Sequence, residues 1–247
     1  MIGLLDELAA NAWPAPVVQV VDGWQLRYGW GVTSRANSVL PSAAGELPLE
    51  ERLALAEGFY ARRGAPARFQ LSPACRPADL DAVLADRGYV VATPTLVHVA
   101  ALEPPPGSPA ASVRLAEAPD PTWLDVWGRG EGRALTLDVV EPILARIGPE
   151  AAFALAELDG RPAAAGRAVL ERGWLGIFGM ATLPDARRRG LARALLAALA
   201  AWGVARGATR AYLMVEEGNA PARSLYEQAG FEPLYGYHYR VQERTPC

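Results

Sequence analysis

The chain has 247 residues, 51% of them hydrophobic, and a formal net charge of −3; every one of its 24 basic residues is Arg. That length holds one large domain or two small ones with a genuine core. The lack of a basic excess argues against a nucleic-acid partner, and the lack of an apolar run near ~18 residues argues against a membrane-spanning helix.

Cys75 and Cys247 are the two cysteines, too few for a disulfide framework or a metal set, and Met1-Ile2-Gly3-Leu4-Leu5-Asp6-Glu7 lacks the basic region and long apolar stretch of a signal peptide. The expectation is a cytoplasmic protein. Strand-like runs at 17–21, 24–28 and 39–40 are broken by Asp22-Gly23 and Gly29-Trp30-Gly31. Residues 47–63 read as a helix. Pro48 suits its first turn, Glu50 and Glu51 suit its dipole, and Leu49, Leu53, Ala56 and Tyr60 make one apolar stripe. A strand at 67–71, a helix over 77–87 stopped by Gly88, and a strand over 90–102 interrupted by Pro94 follow. Then Glu103-Pro104-Pro105-Pro106-Gly107-Ser108-Pro109 breaks all periodicity. Such a run favours extended polyproline geometry, so the expected organisation is a domain over 1–103, a linker at 104–110 and a second domain over 111–247.

The second half opens with a strand at 112–115, a helical region at 121–127 and a helix over 139–147. Strands at 152–158 and 163–170 flank the turn Asp159-Gly160-Arg161-Pro162. Gly128-Arg129-Gly130-Glu131-Gly132 follows no strand and lacks G-x-G-x-x-G spacing, which rejects a dinucleotide site. An apolar strand over 174–182 ends at Pro184, after which Leu191, Leu195, Leu199 and Trp202 fall three to four apart and mark a helix. A strand at 211–215, a helix bearing Tyr226 and a strand at 234–241 complete a mixed α/β pattern.

The strand-to-helix turn Leu183-Pro184-Asp185-Ala186-Arg187-Arg188-Arg189-Gly190-Leu191-Ala192 carries the strongest chemistry. The first N–H groups of a helix lack intrahelical partners and the macrodipole adds roughly half a positive charge, so this turn is a seat for a phosphate-type anion. Arg187, Arg188, Arg189 and Arg193 add full charges, while Gly190 and small Ala192 leave room for close approach. The competing reading is an Arg-rich helix start on a solvated face.

Arg187-x-x-Gly190-x-Ala192 after an apolar strand resembles the acyl-CoA pyrophosphate loop of the GCN5-related N-acetyltransferases. The stretch Asn219-Ala220-Pro221-Ala222-Arg223-Ser224-Leu225-Tyr226-Glu227-Gln228-Ala229-Gly230-Phe231 resembles that family's second signature, Asn then Ala, then Tyr, then Gly-Phe. Over residues 111–241 the resemblance implies a mixed-sheet α/β acetyltransferase fold and acetyl-CoA as co-substrate. It implies coenzyme contacts from Ala181, Thr182, Leu183, Arg187, Arg188, Arg189, Gly190, Leu191, Ala192, Arg193 and Asn219, and acetyl transfer to a primary amine of a small molecule or peptide. Asp22-Gly23-Trp24 and Arg35-Ala36-Asn37-Ser38-Val39-Leu40-Pro41 are similar to the N-terminal half of a bacterial two-part subfamily, which extends the resemblance over nearly the whole chain.

The halves also resemble each other, which implies two tandem copies of the fold. Pro41 precedes Gly64 by 23 residues and Pro184 precedes Gly207 by 23; Gly88-Tyr89 answers Gly230-Phe231. In this alignment Ala44 stands opposite Arg187, Leu47 opposite Gly190 and Leu84 opposite Tyr226, so the first copy reads as degenerate, without anion cradle or phenol.

Acetyl transfer needs a neutral amine and a proton for the departing thiolate. The resemblance puts Tyr226 in place to supply that proton, and a phenol near pKa ~10 is protonated at neutral pH; the alternative is a core tyrosine. Backbone N–H groups of 180–183 would polarise the thioester carbonyl. No carboxylate lies between Trp174 and Leu183, where relatives often carry a base, so Glu216 or Glu217 acting through water is weighed against both being solvated. Asn219 is either a pantetheine contact or a helix cap. Tyr235, Tyr237 and Tyr239 share one strand face, as acceptor wall or as packing, and Trp123 and Trp127 read as core. His98 and His238 read as structural. The rival function is an acyl-CoA-binding module without turnover.

Overall fold

The computed structural model describes residues 1–103, 113–131 and 137–242, so the expected linker at 104–110 lies outside the described residues. The chain forms two compact units. One contains Met1–Leu96, Glu216–Gly218 and the segment from Tyr235 onward; the other contains Val97–Val215 and Asn219–Leu234.

The first unit begins with a helix that the sequence reading did not anticipate, α1 (Ile2–Asn11), followed by β1 (Val17–Val21), β2 (Trp24–Tyr28), β3 (Val39–Pro41), α2 (Leu49–Ala61), β4 (Arg68–Leu71), α3 (Leu80–Asp86) and the start of β5 (Tyr89–Ala101). Leu5, Leu8, Ala9 and Ala12 recur at helical spacing and are all buried, which is why α1 forms. β1, β2 and β3 make an antiparallel meander, and β3 lies parallel to β4, with Val39 opposite Phe69. The apolar stripe of α2 delivers Leu53, Ala56, Phe59 and Tyr60 to a core with Trp24, Leu26, Phe69 and Leu84. β5 runs through Pro94 without a break because Thr93 takes a φ of 49° there and Pro94, which has no N–H to lose, still accepts from Glu217 N–H at 2.9 Å.

The second unit is built from β6 (Val113–Ala116), α4 (Pro121–Glu131), α5 (Leu137–Leu144), β7 (Glu150–Leu158), β8 (Arg161–Glu171), β9 (Trp174–Thr182), α6 (Leu191–Val204), β10 (Arg210–Glu216), α7 (Ala220–Gln228) and the start of β11 (Glu232–Gln242). β6 to β9 pair antiparallel in chain order, and β9 then pairs with β10 in parallel. Buried alanines on β7 and β8, among them Ala154, Ala156, Ala164 and Ala168, match the alanine-rich α6, whose Leu191, Leu195, Ala198 and Leu199 are buried. Small side chains on both surfaces let helix and sheet approach closely.

The tandem arrangement is visible element by element. β3, α2, β4, α3 and β5 repeat as β9, α6, β10, α7 and β11, with a parallel strand pair in each copy. Gly64 and Gly207, then Gly88 and Gly230, take left-handed φ values of 61°, 87°, 81° and 85° after corresponding helices. The closing strands are exchanged: β11 pairs antiparallel with β4, with Leu71 opposite His238, while Leu102, just past β5, donates to Thr209 O at 2.9 Å beside β10. Hence the compact units do not coincide with the two halves of the sequence.

Candidate active site

The parallel pair β9–β10 is joined from Trp174–Arg210 to Ile177–Leu213 and no further, although both strands continue. On its other edge β9 stays paired with β8 up to Thr182–Ala164, and Leu183 N–H donates to Ala163 O at 2.9 Å. Antiparallel alternation therefore turns the Thr182 N–H away from β8, onto the edge that β10 has left. Of the expected backbone donors, Leu183 is already committed to Ala163, and Thr182 is aimed outward. Ala165 faces Ala181 but Arg167 faces Phe178, so β9 carries one extra residue within Gly179–Met180. This bulge, missed in the sequence, bends the strand where pairing with β10 ends.

α4 lies against this strand end. A Cβ on Gly130 would stand 2.9 Å from Ala181 Cβ and 3.2 Å from Thr182 N, so the glycine allows the helix to touch β9. The glycine-rich run is thus helical through Glu131 and serves packing.

From Thr182 the chain passes buried Leu183 and Ala186 into exposed Arg187, Arg188 and Arg189. Arg187 Nε reaches Thr182 O at 3.4 Å. Gly190 is the N-cap of α6 with φ 82°, a conformation costly for any residue with a Cβ, and nothing lies within 4 Å of where that Cβ would point. α6 starts without a side-chain cap. The N–H groups of Leu191, Ala192 and Arg193 occupy its first turn, beyond reach of the i→i−4 ladder. Arg193 Nη2 donates to Gln228 Oε1 at 2.8 Å, which ties this turn to the end of α7. The structure thus gathers Ala181, Thr182, the arginine loop, Gly190 and the first turn of α6 at one strand end, with α7 alongside.

On α7, Asn219 is the N-cap, its Oδ1 accepting from Ala222 N–H at 3.2 Å. That occupies the oxygen of the side chain. Tyr226 is 7% exposed, and its ring packs edge-on to Phe231 at 6.1 Å.

The remaining candidates divide clearly. Trp123 and Trp127 stack at 5.6 Å in the core, Trp123 Nε1 donating to Ala154 O and Gly166 O, both at 3.1 Å. Tyr235, Tyr237 and Tyr239 are buried, and Tyr235 O–H donates to Asp6 of the first unit at 2.7 Å. His238 Nε2 lies 3.1 Å from Asp81, which also accepts from Arg240 at 2.6 Å. Burial holds the His98 imidazole below its ordinary value. Glu216 and Glu217 are exposed. Among the described residues no group of His, Cys, Asp and Glu could hold a metal, and no helix is long and apolar enough to cross a membrane.

Diverging parallel strands, a bulge on one of them and an uncapped, arginine-flanked helix start at their end belong to a GCN5-related N-acetyltransferase fold. The fold recurs in a GCN5-related N-acetyltransferase from Kribbella flavida, with TM-score 0.69 and 20% identity over 98% of this chain and 96% of that one. It recurs too in a tandem GNAT protein from the clavulanic acid biosynthesis pathway, with TM-score 0.63 and 15% identity over 80% and 70% of the two chains. The uncharacterized N-acetyltransferase YobR of Bacillus subtilis is 29% identical, covering 96% of this chain and 97% of its own. The family described as probable histone acetyltransferase Rv0428c C-terminal matches residues 2–240, and the chain belongs to it, within the GNAT superfamily. Membership makes the chain an acetyltransferase and decides against a module without turnover.

Proposed function

We propose that the chain transfers an acetyl group from acetyl-CoA to a primary amine of a small molecule or peptide, with the chemistry in the unit that holds α6 and α7. The observation that carries this reading is the uncapped start of α6 directly beyond the point where β9 and β10 part. The N–H groups following Gly190, with Arg187, Arg188, Arg189 and Arg193 around them, suit the coenzyme pyrophosphate. The Thr182 N–H, on the open edge of β9, suits the thioester or pantetheine carbonyl, and the amide nitrogen of Asn219 is left for a polar contact by the capping of its oxygen.

In the step itself the amine nitrogen bonds to the thioester carbonyl carbon, the C–S bond breaks, the thiolate takes the proton of the Tyr226 hydroxyl, and the amine's proton passes to water, which returns one to the Tyr226 phenolate. No carboxylate on β9 stands ready as base, so water carries the amine's proton. The description of the family favours peptide amines among the acceptors. The test is thiol release from acetyl-CoA against a panel of small primary amines and lysine-bearing peptides, with product mass as the second readout. Thiol release at the rate of bare hydrolysis throughout the panel overturns the reading.

A further inference from the structure

The parallel pair of the first unit, β3 and β4, is joined at Val39–Phe69, and beyond that rung the strand ends wall a cavity of about 310 Å³ that also reaches α1. Its rim is exposed at Glu7; Asp6, Gln70, Ser72 and Cys75 line it from buried positions. Gln70 is 1% exposed, and its Oε1 accepts from Arg27 Nη2 at 2.8 Å. That bond fixes the amide's orientation, turning the NH₂ end away from Arg27, and Gln70 lines the cavity, so the amide nitrogen is a donor at its wall. Asp6, 5% exposed, accepts from Ser72 O–H at 2.5 Å and Tyr235 O–H at 2.7 Å. Burial raises its carboxyl above the ordinary value, outweighing those two hydrogen bonds and the charges of Arg27 and Arg35. The cavity therefore sets a carboxylate, with lone pairs beyond the two hydroxyl bonds, beside an amide donor, and no arginine lines it.

We propose that this cavity binds a small amino compound with an oxygen acceptor two or three bonds from its ammonium group, the amino-acid and amino-alcohol class. The ammonium sits on Asp6 and the oxygen on the Gln70 NH₂. An apolar occupant would leave the Asp6 carboxylate without a cation and offer the Gln70 amide no acceptor, and a simple anion would face Asp6 and Glu7. Neither the acetyl-transfer chemistry nor the α6 junction enters this assignment.

Cys75 lines the cavity and is 8% exposed, so it reports occupancy. The experiment follows alkylation of Cys75 by iodoacetamide in the full chain, read by mass of the Cys75 peptide, with β-alanine or ethanolamine as probes and ethylamine and propionate as half-probes. At concentrations on the order of tens of millimolar, β-alanine or ethanolamine slows Cys75 alkylation about fivefold or more, the half-probes protect less, and the stronger of the two probes identifies the acceptor oxygen. Gln70→Met raises the half-protecting concentration about tenfold. Asp6→Asn, which removes the charge proposed to hold the ammonium, serves as a second variant should Gln70→Met not fold. Absence of protection by both probes, or protection that survives Gln70→Met or Asp6→Asn unaltered, overturns the proposal.

Discussion

The chain makes one junction twice, a parallel strand turning into a helix, and fills it in opposite ways. After β9 the loop reaches α6 through exposed arginines and Gly190, and no side chain caps the helix. After β3 the corresponding loop encloses its own anion: Asp22 accepts from Glu46 N–H and Leu47 N–H, both at 2.9 Å, and lies 3.4 Å from Arg52 Nε. Arg52 is 2% exposed and points inward, donating also to Ala43 O at 2.8 Å and to Ala44 O. The N-cap of α2 is Pro48, which has no N–H to offer. Backbone geometry alone makes an anion seat at such a junction. Whether it is a binding site depends on where the sequence puts the carboxylate and which way the cations face.

The sharpest way to break this contrast is to supply the second junction with a carboxylate. Gly190→Glu should lower acetyl-CoA affinity more than 100-fold by calorimetry, beyond ~2.7 kcal/mol. At φ 82° any Cβ is strained, so a stability loss of about 1–2 kcal/mol accompanies it. Gly190→Ala carries the same strain without the charge and should keep most of the affinity; equal losses in the two variants would assign the effect to backbone strain. The same titration on the unaltered chain should give one coenzyme per chain, since Asp22 fills the first seat. A stoichiometry of two would end the contrast.

The helices that follow differ in the same sense. Leu84 of α3 is fully buried, and its aligned counterpart on α7 is Tyr226, buried to 7% exposure. Tyr226→Phe keeps the packing on Phe231 and removes only the hydroxyl. Water can protonate a thiolate, so the drop in kcat should sit near the bottom of the range for a general acid, roughly ten- to several-hundred-fold, with the largest deficit at high pH and acetyl-CoA affinity unchanged. If kcat stays within about twofold while chemistry limits turnover, Tyr226 only fills the core.

Most of this was legible locally. Apolar runs and turn residues marked β1, β2 and β9, and the spacing of Arg187, Gly190 and Ala192 marked the loop, because strands and helix starts are written in neighbouring residues. What escaped was written at a distance. Asp22 meets the loop at 46–47 across the β2–β3 meander, and nothing around Asp22-Gly23 announces that partner. The exchange of β11 onto β4 joins residues such as Leu71 and His238, a pairing without local signal. The same exchange explains why Tyr235, read as an acceptor wall or packing, bonds to Asp6. In the sequence Pro94 reads as an interruption, but β5 continues through it with the φ of Thr93 at 49°, which sequence pattern does not show.

The smallest effect concerns the first junction itself. The backbone N–H groups of Glu46 and Leu47, with Arg52 behind them, hold the Asp22 carboxyl below its ordinary value of 3.8. A depressed value means that the ionised carboxylate favours the folded state, so its contribution is complete above pH ~4 and is lost as pH falls through the lower folded value. Asp22→Asn keeps the shape but not the charge, and leaves Arg52 with a weaker partner. The variant should therefore show a lower urea midpoint than the parent at neutral pH, with the gap closing below the ordinary carboxylate range. A gap that persists unchanged at low pH would show that shape, not charge, holds the loop. The number of coenzymes bound should stay at one, because the vacated loop has Ala44 where the second has Arg187 and Pro48 at the helix cap. A second coenzyme appearing in Asp22→Asn would mean that the carboxylate alone had kept it out, and that the first junction remains a nucleotide seat beneath its plug.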